Sequence, residues 1–296
     1  MKLSFSNDDF LVLGMKHCGF SKKTISKCKA TTGIVRFCDK FYVGPKTCSE
    51  IFLMIQEEAL GQHTIEKPNP SHLLLALYYL KKYPTKHELA GFLDSCEETA
   101  LKHAKRYTSA IAALRLYKIK WIFDENTDED FILSVDGVHC RVFEPRIDPS
   151  TKWFSSKFNK AALSYELGIA IFHDQLVWVS GPHPAATNDI TIFKMTDGLM
   201  EKIPDGKIAI GDEGYRGVPD KCATRNSFDT DAVKLFKKRV KARHESFNCR
   251  IKAFNVIDQP FRSTGESRME KHEMVFIACC VLVQFEMDGG RPLFKV

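Results

Sequence analysis

The chain has little that assigns it quickly, and each gap excludes a class. There is no G-x-x-x-x-G-K-[ST] loop, which excludes a P-loop NTPase, and no G-x-S-x-G elbow of the serine-hydrolase type. His173, His183, His244 and His272 form no H-x-x-x-H pair, which argues against a zinc hydrolase. The ten cysteines contain no C-x-x-C; Cys18, Cys28, Cys38 and Cys48 recur at ten-residue intervals, but without paired histidines they read as free thiols of a reducing compartment. Asp8 and Asp9 interrupt any apolar leader, so an intracellular chain is expected. The apolar run "MVFIACCVLVQF" is too short to span a bilayer and reads as a core helix. Internal repeats and low-complexity tracts are also missing. Charge is not extreme: a net +6 at pH 7 permits a polyanionic partner without requiring one.

What is present is a set of acids in the C-terminal half. Asp136 interrupts a run of β-formers, "FILSVDGVHCRVF", and the glycine beside it lets a ligand approach the backbone. Asp212 ends "GKIAIGD", a strand apolar on both faces and so expected to be central. Strand alternation lets only one of Asp212 and Glu213 face Asp136, and the expectation is Asp212. Glu245 is the single acid in a basic amphipathic helix expected over about 232–254, on one face with Lys241 and Lys252. Asp189 opens a segment of helical period, "NDITIFKMTDGLMEKI", and reads equally as a helix N-cap or as a fourth carboxylate of the site. Carboxylates gathered at the edge of a core imply hard divalent cations, and two such cations suit in-line phosphodiester chemistry.

Between these acids, "YELGIAIF" and "LVWVSG" read as strands joined by a turn at "HDQ". Three strands, a helix, a strand and a helix form the ribonuclease H-like order, and Asp136, Asp212 and Glu245 fall on its acidic positions. His139, three residues after Asp136, reads as a metal ligand or proton donor or, more commonly for a strand-end histidine, as a merely hydrogen-bonded one. "WFSSKFNK" interleaves aromatics with Lys157 and Lys160, a pattern suited to single-stranded or flipped bases and equally to a packed loop.

"DENTDED" at 124–130 is an acidic, turn-rich edge, so the expected domains are a helical region over 1–125 and a catalytic region over 126–296. Within the first, residues 71–118 predict three helices. Thr85 with Glu88, and Ser95 with Glu98, are expected capping boxes for the second and third. A short turn between those helices matches a helix-turn-helix, which would present Lys102 and Arg106 to DNA; a plain bundle with a charged face is the other reading. The basic run Lys22 to Lys29 adds nothing specific.

These motifs, in order, resemble the transposases of PIF/Harbinger DNA transposons and their domesticated relatives. "DGVHC" looks like the first-Asp motif, "VWVSGPHPAATNDITIF" is similar to the Gly-Pro…Asp motif, and "GDEGY" to the strand end. "RHESFNCRIKAF" resembles the helix that carries the last acid, with Lys252 seven residues after Glu245. The resemblance runs from about Phe131 to Val296. It implies a DDE recombinase with Asp136, Asp212 and Glu245 in catalytic roles, and it draws Asp189 into the metal set. It also implies two Mg²⁺, with Mn²⁺ as substitute, action on transposon ends and target DNA, oligomers on DNA, a Myb-like accessory protein and a nuclear location. Asn188 stands where the family usually has His, and Glu213 where a small residue is common. Neither departure removes a carboxylate, but a domesticated protein that binds DNA without cutting it remains the alternative.

Overall fold

The computed structural model describes residues 2–20, 24, 30–144, 150–263 and 267–296. Apart from Thr24, the basic run Lys22 to Lys29 lies outside the described residues. The chain forms two compact units, one of residues 1–116, 253–256 and 274–289, the other of 117–252, 257–273 and 290–296.

The first unit is helical. Its described helices include α1 (Asn7–His17), α2 (Ala30–Phe41), α3 (Pro45–Met54), α4 (Pro70–Lys82), α5 (Lys86–Leu93) and α6 (Glu97–Ala113). The run Leu73 to Leu77 is wholly buried, which is why α4 is apolar on nearly every face. Proline at its first turn and a left-handed Tyr83 after its last set its limits. At α5 the expected capping box is present: Thr85 Oγ1 accepts from Glu88 N–H while Glu88 reaches back to Thr85 N–H. The box expected at Ser95 and Glu98 is absent. Cys96 is the N-cap of α6 and makes no side-chain cap, while Ser95 Oγ turns to the Cys96 carbonyl. Residues 274–289 also belong to this unit, and their "CC" run is buried as expected.

The second unit is built on a mixed sheet with helices. Its strands are β1 (Phe131–Arg141), β2 (Phe154–Ser155), β3 (Lys160–Ala170), β4 (Leu176–Pro184), β5 (Ile208–Ile210) and β6 (Cys222–Ala223). β1 is central, antiparallel to β3 and parallel to β5; β4 extends the sheet beyond β3, and β6 lies parallel beyond β5. Alternation divides β1 between two faces. Leu133 and Val135 enter a core cluster with Phe193, Leu199 and Tyr215, while Ser134 and Asp136 face a long helix, α8 (Asp231–Lys252).

The segment after β4 departs from the expected single helix. It forms α7 (Asp189–Phe193) and a separate turn, Leu199–Lys202, because Asp197 takes a left-handed φ of 59° and Gly198 restarts the chain. α8 meets its expected bounds closely, burying Val240, Arg243, His244, Phe247, Asn248 and Ile251 at helical spacing. The final helix, α9 (Arg268–Asp288), contains the expected apolar run.

Candidate active site

β5 is short, and it pairs with β1 only as far as Ser134. Beyond that point β5 no longer covers the edge of β1; Asp136 and Gly137 stand where it is left, and the edge is paired again at its far end, where the Arg141 carbonyl accepts from Phe261 N–H at 3.0 Å. The chain leaving β5 turns at once through Asp212, whose Oδ1 accepts the Gly214 N–H at 2.8 Å and so caps a single 3₁₀ turn. Glu213 pairs with Arg216, while Asp212 Oδ1 lies with the Asp189 carboxylate beside Gly214.

Asp189 reaches the same place from α7. It does not cap that helix: Asn188 is the N-cap, with no side-chain cap bond, and Asp189 is the first helical residue. Its carboxylate fills the space that two glycines leave open. A β-carbon on Gly137 would sit 2.6 Å from Asp189 Oδ1, and one on Gly214 would sit 2.7 Å from Asp189 Oδ2 and 3.0 Å from Asp212 Oδ1. Asp189 therefore bridges β1 and the turn after β5. Burial raises its carboxyl above the ordinary aspartate range; the Lys157 ammonium lowers it, and the charges of Asp212 and Asp136 raise it further.

Asp136 is held from two sides. Its Oδ1 accepts the Gly137 N–H at 2.8 Å, and its Oδ2 accepts from Asn248 Nδ2 of α8, also at 2.8 Å. One turn earlier on that helix, His244 Nδ1 pairs with Ser134 Oγ at 2.8 Å, which fixes α8 against β1. His244 is buried, and burial takes its imidazole down to about 4, so it is neutral at physiological pH. Arg243 holds the helix from its other side by donating to the Ala170 and His173 carbonyls and to Asp174.

Glu245 is exposed on α8, three residues before Asn248, and its carboxylate makes no hydrogen bond or ion pair with another described residue. The structure brings Asp136 and Asp212 each into electrostatic range of Asp189 and leaves Glu245 exposed on the helix that anchors Asp136. Of the basic side chains named from the sequence, Lys157 acts on the acids directly. Lys157 Nζ donates to the Gly137 carbonyl at 3.3 Å. The Lys157 and Lys252 charges lower the His139 imidazole while Asp136 raises it, and Lys241 lowers the Cys222 thiol while Asp212 raises it. Lys160 is exposed at the start of β3, and Lys102 and Arg106 are exposed on α6 of the helical unit. His139 bonds Ser155 Oγ at 2.8 Å and is taken down to about 4, chiefly by burial, in keeping with a structural histidine.

Sequence reasoning passed over Asn248 and Glu166. Glu166 is paired in register with Gly137 and is almost wholly buried; its Oε1 accepts from Trp178 Nε1 at 3.0 Å, while Oε2 has no hydrogen-bond partner. Burial raises its carboxyl to about 8; the Trp178 bond opposes this and Asp189 adds to it. A lone Glu inside the apolar run "YELGIAIF" was the available signal, because an acid there must be paired or protonated. For Asn248 the signal was its place one helical turn beyond Glu245.

Among the described residues no three His, Cys, Asp or Glu side chains converge closely enough to hold a metal ion. The chemistry of the donors nonetheless fits a hard divalent cation. They are all carboxylate oxygens, drawn around a cradle that only glycine leaves open, with ammonium groups nearby for phosphates.

A protein family described as DDE superfamily endonuclease matches residues 135–284, half of the chain. No curated protein and no solved structure gives a match. No helix among the described residues is long and apolar enough to cross a membrane.

Proposed function

The chain belongs to the DDE superfamily endonucleases, and we propose that it is a PIF/Harbinger-type transposase that cuts DNA at the ends of its element and joins the freed 3′ ends to target DNA. The observation that carries this reading is the single Asp189 carboxylate lying over Gly137 and Gly214, which ties Asp136 and Asp212 into one acidic centre inside the matched region. In this reading Asp136, Asp189 and Asp212 hold divalent metal, Mg²⁺ or Mn²⁺, with Glu245 entering from α8. Bound there, two such ions would polarise the phosphodiester and make an attacking water more acidic.

The rest is done by the chain's own groups. Asn248 and the Gly137 amide orient the Asp136 carboxylate before substrate arrives. Lys157, Lys241 and Lys252 hold phosphates on either side of the acids. The sheet order β4-β3-β1-β5-β6 supports a ribonuclease H-like core, and the three-residue turn between α5 and α6 supports a helix-turn-helix that would use Lys102 and Arg106 on DNA. Nuclear action, oligomers on DNA and a Myb-like accessory protein belong to the same reading and follow from the family resemblance.

The test is strand cutting and joining by purified protein on DNA carrying the element's ends. Cutting with Mg²⁺ or Mn²⁺ that is lost in Asp136→Asn supports an endonuclease, and joining of 3′ ends supports a transposase. Cutting without joining would leave a nuclease of another kind. Binding without either would leave a domesticated DNA-binding protein.

A further inference from the structure

β1 runs on past the acids to Arg141, five residues beyond Asp136, and a cavity of about 510 Å³ opens at that end of the sheet. Its size falls within the roughly 300–1,000 Å³ usual for small-ligand pockets. Two of its walls are phenylalanines that the fold leaves in solvent: Phe143 is 52% and Phe154 47% exposed. Large aromatic side chains are ordinarily buried, and two facing one cavity offer stacking surfaces rather than core. Asn159 and Glu144 also line it and can pair with the polar edge of a base. Arg141 and Lys160 supply positive charge at the same place, and the Arg141 guanidinium is already held over the Phe158 ring and by the Asp258 carbonyl. None of these residues belongs to the acidic centre.

We infer that this cavity takes one unstacked nucleotide of the DNA strand being processed, its base stacked on Phe154 and its phosphate held by Arg141 and Lys160. Aromatic platforms beside cations are how single-stranded nucleic acid is held, and an unstacked base needs a pocket of its own. The distance is consistent. Five residues of strand span about 16 Å, which is no more than about five nucleotides at the ~3.4 Å rise of a duplex strand. The inference rests on the proposed action on DNA and adds where the strand lies and in what state.

The test uses a short single-stranded oligonucleotide carrying a 2-aminopurine, whose fluorescence reports stacking, with full-length protein and no metal. Wild type and Asp136→Asn are both expected to bind it and change its fluorescence. Phe154→Ala and Lys160→Ala, each on an exposed side chain, are expected to weaken binding about tenfold or more, and Phe154→Ala to lose the fluorescence change, with unaltered melting temperatures. Equal binding and equal fluorescence in wild type and Phe154→Ala would overturn the inference, and so would no binding of the oligonucleotide at all. In that last case, metal-dependent cutting of duplex DNA by the same wild-type preparation would leave the proposed function standing and the cavity assignment alone refuted.

Discussion

Asn248 Nδ2 donates to Asp136 Oδ2 at 2.8 Å, so the carboxylate at the middle of β1 is fixed by a helix more than a hundred residues later in the chain. The long-range tie gives α8 a role apart from Glu245. Asn248→Ala should lower cutting by about 10–100-fold, as expected for loss of a group that orients a ligating carboxylate. Asn248→Asp should be worse, because it sets a second negative charge against Asp136. Steady-state cutting rates with melting curves as a folding control check both.

Gly137 is required by space. Its β-carbon would meet Asp189 Oδ1 at 2.6 Å, and the yielding partner is the end of a side chain rather than backbone. Gly137→Ala should therefore leave the melting temperature nearly unchanged while displacing Asp189 and reducing activity by about 100-fold, the scale expected of a misplaced catalytic group. Loss of stability in step with activity would contradict this.

Glu166 gives a pH signature. Its folded-state carboxyl lies near 8 against an ordinary value of 4.5, so the unfolded chain gives up this proton first. Its contribution to stability is whole below about 4.5 and falls as pH rises to about 8, by up to about 1.4 kcal/mol per pH unit. His244 runs the other way: with a folded value near 4 against 6.5, its contribution is whole above 6.5 and is lost as pH falls toward 4. The two slopes overlap in wild type. In Glu166→Gln, which keeps an acceptor for Trp178, the first slope should vanish, so that the variant gains on wild type between pH 5 and 8 in denaturant unfolding.

Lys252 lies on the side of the site marked by His139 and Asp136. If it holds a phosphate, Lys252→Ala should weaken DNA binding similarly for all sequences and make the dependence on log salt shallower by about one. An unchanged salt slope would remove Lys252 from the interface.

The strands around the acids were legible because β-formers and glycines bound them closely, and the matched family region begins within β1 at Val135. Asp189 was ambiguous for a physical reason. An acid at a helix start satisfies backbone amides or a site equally well in one dimension, and only the neighbouring Asn188 cap and the open space over Gly137 separate the cases. The helix expected to run through residue 203 failed at Asp197 and Gly198, where a left-handed residue overrides an apolar period. The cap expected at Ser95 failed because the helix starts one residue later. Glu245 was read from its basic surroundings. On α8 those surroundings are divided: Arg243 is spent on the turn between β3 and β4, while Lys241 and Lys252 remain beside the acids.

The central claim is that Asp136, Asp189 and Asp212 form one metal-dependent DNA-cutting centre. Nicking of supercoiled DNA in Mn²⁺, compared between wild type, Asp136→Asn and Asp189→Asn at matched folding, tests it most directly. The account predicts nicking by wild type, none in chelator, and a loss of at least about 100-fold in each variant. Undiminished nicking by Asp189→Asn, or a wild type that never nicks, would contradict it.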